Sequence, residues 1–152
     1  MLRKVKVLVS MMIMTMSLFA PMVGVKAASQ NFSFSFDQAV VDGSSNGKYY
    51  SINKNKTVTA SGSFYLKRAD SQVTERKASC TMELRRNYGI IFTQYLGEKN
   101  IGTATLPRYA QTGSRVNFSV KWKTTTDSDR YYLVTSTGSV GVYKVGSGTL
   151  SW

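Results

Sequence analysis

Apolar and polar residues alternate with a period of two along most of the chain after residue 30. Phe32, Phe34 and Phe36, for example, are separated by Ser33 and Ser35. This period places one side of an extended segment in the core and the other in water, so it predicts half-buried β-strands. The same pattern recurs at residues 57–67, 78–86, 90–96, 101–106, 116–123, 130–136 and 140–145, with short additional segments at 49–52 and 149–152.

Residues that form turns separate these segments, for example at 42–47, 54–56 and 97–100. Loops this short favour antiparallel pairing between neighbouring strands. Strands with one apolar face must stack in two layers or close on themselves to hide that face. We therefore expect an all-β fold, an antiparallel β-sandwich of Ig-like or jelly-roll-like kind with about eight strands. A small β-barrel is the alternative.

The first 27 residues resemble a secretory signal peptide. Three basic residues precede an uncharged apolar run at 7–19, Pro21 interrupts that run, and Val25 and Ala27 provide small residues before a cleavage point. A helix over the run would be only about 20 Å long, short of the ~30 Å that a membrane span needs. We expect a secreted, extracellular protein whose single domain occupies residues 28–152 and has no transmembrane segment.

The predicted domain is basic. Four of the 20 basic residues fall within the first 27 positions, and the remaining 16 face eight carboxylates, which gives a net charge of +8. The chain has no histidine and one cysteine, Cys80, so it cannot form a Ser-His-Asp triad, a His-ligated zinc site or a disulfide within one chain. We expect no cofactor and no metal, and Asp127 and Asp129 are assigned to a turn.

The side chains of Ala78, Cys80, Met82 and Leu84 share one face of a predicted strand. This position predicts that the thiol is buried as a small apolar group. Trp122 is in register with apolar residues and is also predicted to lie in the core. At 90–92 three apolar residues are consecutive, which predicts a strand covered on both faces.

Tyrosines and cations occupy the polar side of several predicted strands and turns. Tyrosine combines a flat ring with a polar tip, which suits contact with sugars and proteins at low conformational cost. The candidate binding face that this pattern predicts contains Tyr49, Tyr50, Tyr65, Lys67, Arg85, Tyr109, Lys121, Lys123 and Tyr131.

These features favour a secreted, non-catalytic protein that binds an anionic or carbohydrate partner at the cell surface. The partners that suit it are a polyanionic cell-envelope polymer, a glycan or another protein, and nothing indicates specific recognition of nucleic acid. The main alternative is a secreted cationic effector, like a bacteriocin or a toxin, that acts on the envelope of another cell. A small hydrolase is a further alternative, with Asp37, Asp42 and Glu98 as its candidate carboxylates.

Overall fold

The computed structural model describes residues 28–37, 40–74, 76–89 and 92–152, and within them the backbone forms nine strands and no helix. The strands are β1 (Ser29–Phe36), β2 (Val40–Asp42), β3 (Tyr50–Ile52), β4 (Thr57–Ala69), β5 (Lys77–Tyr88), β6 (Phe92–Thr105), β7 (Val116–Lys123), β8 (Ser128–Thr137) and β9 (Val142–Ser151). The predicted signal peptide, residues 1–27, lies outside the described residues.

The strands form two antiparallel sheets. In the four-stranded sheet the order is β1-β9-β4-β7, and in the five-stranded sheet it is β2-β8-β5-β6, with β3 also pairing with β8. The apolar faces of both sheets contribute to one continuous core. Because the two sheets are not closed into a barrel, the predicted β-sandwich is confirmed.

The alternation read from the sequence corresponds to the two faces of each strand. In β1 the three phenylalanines are buried, whereas Ser33 and Ser35 are exposed. The predicted burial of Cys80 and Trp122 is likewise confirmed. Burial of apolar side chains on alternate positions thus holds the two layers together.

Two glycines in β9 allow the rings of β1 to reach the core. A Cβ atom on Gly146 would lie 2.2 Å from Cζ of Phe34, and one on Gly148 would lie 2.8 Å from Cζ of Phe32. No real Cβ atom approaches a ring carbon so closely. Glycine is therefore required here for the phenyl rings of an edge strand to pack across the neighbouring strand.

β6 runs without a break through residues 97–100, where the sequence pattern predicted a turn. Its register with β5 shifts twice, and Gly97 and Gly102, which lie beside these shifts, have φ angles of 106° and 117°. Such β-bulges accept turn-forming residues without ending a strand. The prediction of separate strands at 90–96 and 101–106 is therefore wrong.

Three smaller differences concern other elements. The segments predicted at 140–145 and 149–152 form one strand, β9, and β2 is not predicted by the alternation. Phe92 is exposed, so the prediction that it is covered on both faces is wrong, and Ile90 and Ile91 lie outside the described residues.

Hydrogen bonds connect Ala28, which precedes β1, with Trp152, which follows β9, and a further hydrogen bond connects the two sheets. The backbone N–H groups of Ala28 and Trp152 each donate to the other residue's carbonyl, at 3.1 and 2.9 Å. The indole N–H of Trp122 on β7 donates to the carbonyl of Gly97 on β6 at 2.7 Å, across the two sheets. This second bond links edge strands that belong to different layers.

Candidate functional site

The sequence-predicted face residues lie in four environments. Tyr50 and Tyr131 are in the core, where burial raises the pKa of both phenols. The hydroxyl of Tyr131 donates to the carbonyl of Thr126 at 2.7 Å. Neither side chain is accessible to a partner, so neither can belong to a binding surface.

Tyr49 and Arg85 lie on the outer face of the five-stranded sheet. The Tyr49 ring packs edge-on against that of Tyr132, with 6.0 Å between centroids. Arg85 forms an ion pair with Glu83 at 2.5 Å and lies 5.8 Å from the ring centroid of Tyr95. Because Glu83 neutralises Arg85, this surface offers no unpaired cation at that position.

Tyr109 lies apart from the other candidates. It occupies the loop after β6 and is 93% exposed. No aromatic or cation contact to it is found among the described residues. The structure therefore leaves it isolated at one end of the sandwich.

The other four predicted residues share the outer face of the four-stranded sheet but form two pairs, because Lys121 and Lys123 lie opposite Thr59 and Thr57, at the other end of β4 from Tyr65 and Lys67. Tyr65 and Lys67 belong to β4, and Lys121 and Lys123 belong to the adjacent strand β7. The structure adds three residues that sequence reasoning missed. We call the resulting set the cationic face, and it consists of Tyr65, Lys67, Arg68, Arg115, Lys121, Lys123 and Tyr143.

A β-bulge explains why Arg68 joins this face. The register between β4 and β9 shifts between Leu66 and Arg68, so that Arg68 lies opposite Tyr143. Without the shift, strict alternation would turn the side chain after Lys67 towards the core. The bulge therefore places two consecutive cations, Lys67 and Arg68, on the exposed side.

Two guanidinium groups of the cationic face lie over tyrosine rings. The Cζ atom of Arg115 is 5.0 Å from the centroid of Tyr65, and that of Arg68 is 5.2 Å from the centroid of Tyr143. Arg115 also donates to the hydroxyl oxygen of Ser63 at 3.2 Å. Stacking on a ring restricts the guanidinium group while its edges stay free to donate hydrogen bonds.

The surface between the cations is rich in hydroxyl and amide groups. Some of these groups are paired with one another, as Thr149 is with Asn31 at 3.1 Å. The outward residues of the four strands that carry such groups are Ser29, Asn31, Ser33, Ser35, Thr57, Thr59, Ser61, Ser63, Asn117, Ser119, Ser147, Thr149 and Ser151. Hydroxyl groups both donate and accept, so they can adapt to varied polar partners.

The strands of the two sheets differ in their acidic side chains. Among the described residues of the four-stranded sheet, none that faces outward is a carboxylate. In the five-stranded sheet, Asp42, Glu83 and Glu98 fall in one cross-strand row, with Val134 between the first two. Three strand spacings, about 14 Å, separate the strands of the hydrolase candidates Asp42 and Glu98, which exceeds the ~9.5 Å between paired carboxylates of glycoside hydrolases. Glu98 lies directly opposite Glu83, but the Glu83 carboxylate is ion-paired with Arg85.

Lys144 and Cys80 form a buried polar pair in the core. Burial lowers the pKa of Lys144, whose ammonium group donates to the carbonyl of Ser139 and lies 5.3 Å from the ring centroid of Phe36. Burial also raises the pKa of the Cys80 thiol to about 11, against smaller opposing effects of Lys144 and Thr137. The thiol is therefore neutral at ordinary pH and inaccessible to a reaction partner.

No group of three or more His, Cys, Asp or Glu residues within the described ranges could hold a metal ion. In the predicted turn, a carboxylate oxygen of Asp127 accepts a hydrogen bond from the backbone N–H of Lys54 at 2.8 Å. In the part of the chain that the structure describes, no helix has the length and apolar character of a membrane span.

No family model, no curated protein and no solved structure matches this chain.

Proposed function

We propose that this protein is an exported, non-catalytic binding protein that holds an anionic polymer of the cell surface on its cationic face. The observation that carries the proposal is the segregation of charge: five cations share the outer face of one sheet, and no outward residue in the described strands of that sheet is a carboxylate. Unneutralised cations on one surface attract polyanions and raise their local concentration.

The ion pairing of the protein agrees with this assignment. Within the described ranges, the structure contains a single ion pair, between Arg85 and Glu83 on the opposite layer. Lys67, Arg68, Arg115, Lys121 and Lys123 remain open to an external anion. A surface that had evolved for solubility alone would carry both signs in mixture, as the outer face of the five-stranded sheet does.

The spacing of the cations suits an extended ligand. Lys121 and Lys123 are at alternate, outward positions of the edge strand β7, and Arg115 immediately precedes this strand, with its guanidinium group over Tyr65. From Arg115 to Lys123 the chain advances eight residues, about 27 Å at ~3.4 Å per residue. A linear polymer with repeated phosphate, carboxylate or sulfate groups could contact this edge at several points.

The two tyrosines of the cationic face act as platforms for arginine. The guanidinium groups of Arg115 and Arg68 already lie over Tyr65 and Tyr143, and the Tyr143 hydroxyl is itself hydrogen-bonded to that of Ser35. A guanidinium group that already stacks on a tyrosine ring loses less conformational entropy when it binds an anion through two parallel hydrogen bonds. The surrounding hydroxyl groups would contact sugar or polyol units of the same polymer.

Sedimentation with purified cell wall over a salt series tests the proposal. The wild-type domain should bind at low ionic strength and dissociate as salt rises, because contacts with anionic groups are screened. The variant Arg68→Ala/Arg115→Ala should bind at least about tenfold more weakly. The matched control, Lys77→Ala/Arg130→Ala, removes two exposed cations from the five-stranded sheet and should bind as the wild type does. Equal losses in both variants would refute the assignment of the face.

The alternative of a secreted cationic effector that acts on the envelope of another cell rests on a different observation. Two exposed aromatic rings, Tyr88 and Phe92, lie at the end of the β5-β6 hairpin. Growth inhibition of neighbouring strains by the purified domain at low dose would favour the effector over a retained surface protein.

A further inference from the structure

The β5-β6 hairpin ends in an exposed aromatic pair. Tyr88 is 48% exposed and Phe92 is 59% exposed. Their rings are stacked, with centroids 5.7 Å apart and planes inclined by 17°. Two large, exposed rings stacked on one another leave an apolar surface in water, and such a surface commonly marks a site of interaction.

The stacked pair lies beyond the core of the sandwich. Leu84 is the last fully buried apolar residue of β5 before the hairpin ends. The guanidinium group of Arg86 lies 5.2 Å from the Tyr88 centroid. The stacked pair therefore combines an apolar surface with a cation, Arg86, that lies against the Tyr88 ring.

More cations surround the hairpin at this end of the molecule. The β3-β4 turn and the β7-β8 loop lie at the same end, because Tyr50 pairs with Tyr131 and Thr57 pairs with Lys123. A weak hydrogen bond of 3.5 Å from Gln94 to Thr125 connects the hairpin to the β7-β8 loop. The charged side chains of this end are Lys54, Lys56, Arg86, Lys123 and Arg130, against Asp127 and Asp129.

We infer that this end of the sandwich docks on an anionic lipid bilayer, with Tyr88 and Phe92 entering the headgroup region. Aromatic rings favour this interfacial zone, and tyrosine can keep its hydroxyl in water there. Arginine beside the rings can bury its stem and leave its charge among the lipid phosphates. The excess of cations at this end is attracted to the negative surface of such a bilayer.

This inference does not depend on the cationic face. The aromatic pair belongs to the five-stranded sheet, whereas the polymer-binding residues lie on the outer face of the four-stranded sheet, although Lys123 is at an edge common to both surfaces. Flat rings at an exposed tip favour insertion among headgroups, whereas an extended polyanion would need only the cations. A bilayer is therefore the occupant that accounts for both the rings and the charges.

Sedimentation with lipid vesicles tests the inference. The probes are vesicles of phosphatidylcholine alone and vesicles that also contain phosphatidylglycerol. The wild-type domain should bind the anionic vesicles at least about tenfold more tightly than the neutral ones, and Tyr88→Ser/Phe92→Ser should lose about tenfold of this affinity. The single variant Phe92→Ser gives a smaller loss and provides the same comparison if the double variant does not fold.

The matched control is Tyr109→Ser/Val140→Ser, which replaces two other exposed apolar side chains, 93% and 69% exposed, at the opposite end of the sandwich. It should bind vesicles as the wild type does. Equal loss in both double variants would overturn the inference. The inference would also be overturned if the wild-type domain bound neither kind of vesicle and instead formed a dimer that the Tyr88→Ser/Phe92→Ser substitutions dissociate.

The two proposals can fail separately. Arg68→Ala/Arg115→Ala should retain vesicle binding, and Tyr88→Ser/Phe92→Ser should retain binding to cell wall. If the aromatic variant lost wall binding and vesicle binding to the same extent, the tip would belong to the polymer site and the separate lipid site would be refuted.

Discussion

The ammonium group of Lys144 donates a hydrogen bond to the backbone carbonyl of Ser139 within the core of the sandwich. Lys144 is fully buried, and its charged neighbours are Asp37 and, when ionised, Cys80. Desolvation disfavours the charged form of a buried amine, so burial lowers the pKa of Lys144 despite these neighbours. The stability of the domain should therefore depend on pH through this residue.

Lys144→Met should stabilise the domain by roughly 1 kcal/mol at neutral pH, because an apolar side chain of similar length avoids the desolvation of an amine. In the wild type, the unfolded chain holds its proton up to the ordinary pKa of 10.5, whereas the folded protein releases it at lower pH. The free energy of unfolding of the wild type therefore rises with pH between the lowered pKa of Lys144 in the folded protein and 10.5.

Urea unfolding of both proteins at a series of pH values measures this effect. The advantage of Lys144→Met should shrink as the pH approaches 10.5. An advantage that stays constant over the whole series would contradict the role assigned to Lys144.

The free energy of unfolding should fall less at alkaline pH in Cys80→Ala than in the wild type, because the variant has no thiol to ionise. The thiol ionises at about pH 9 in the unfolded chain and at about pH 11 in the folded protein, so the folded state holds the extra proton between these values. This shift corresponds to a loss on the order of 2 kcal/mol as the pH rises from 9 to 11. The difference in unfolding free energy between variant and wild type should move by that amount in favour of the variant. A difference that is the same at both pH values would exclude ionisation of a buried thiol.

Gly62→Ala should destabilise the domain by about 2 kcal/mol or more, because overpacking between backbones cannot be relieved by side-chain rotation. A Cβ atom at Gly62 would lie 2.2 Å from the carbonyl oxygen of Ser147 and 2.7 Å from Cα of Gly148. Gly138→Ala is the matched control, since nothing lies within 4 Å of the added atom. Thermal unfolding of both variants checks the prediction, which fails if their midpoints fall equally.

Trp122→Phe should destabilise the domain by about 2 kcal/mol or more, because it removes a hydrogen bond, worth about 1 kcal/mol net, and also leaves part of the volume of a buried indole empty. The indole N–H of Trp122 donates to the carbonyl of Gly97 and so links edge strands of different sheets. Hydrogen exchange of the β6 amides should accelerate more than exchange in β1, on the far side of the sandwich. Uniform acceleration would indicate a general packing defect.

The sandwich could be predicted because burial on alternate positions is a local property. The three phenylalanines of β1 show their shared face directly in the sequence. The single strand β6 could not be predicted, because the β-bulges beside Gly97 and Gly102 depend on pairing with β5. Local turn propensity and the requirements of an established sheet conflict there, and the sheet dominates.

The cationic face was only partly predictable. Lys67, Lys121 and Lys123 follow simple alternation, whereas Arg68 reaches the face through a change of register that no local pattern reveals. The consecutive tyrosines at 49–50 do not show which ring is buried, and both rings at 131–132 are buried, on opposite faces of β8; only the strand pairing places Tyr50 opposite Tyr131. The buried position of Lys144 is also a tertiary effect, since a cation in a strand is ordinarily expected at the surface.

The salt dependence of binding to a soluble, phosphate-rich teichoic acid shows whether the cationic face binds a polyanion. Calorimetric titration of the wild-type domain should give a logarithm of affinity that falls linearly with the logarithm of salt concentration, as for other polyanions. Arg68→Ala/Arg115→Ala should reduce the magnitude of that slope by about two, and Lys77→Ala/Arg130→Ala should leave it unchanged. Equal slopes for the wild type and the Arg68→Ala/Arg115→Ala variant would contradict the claim that the cationic face binds the polymer.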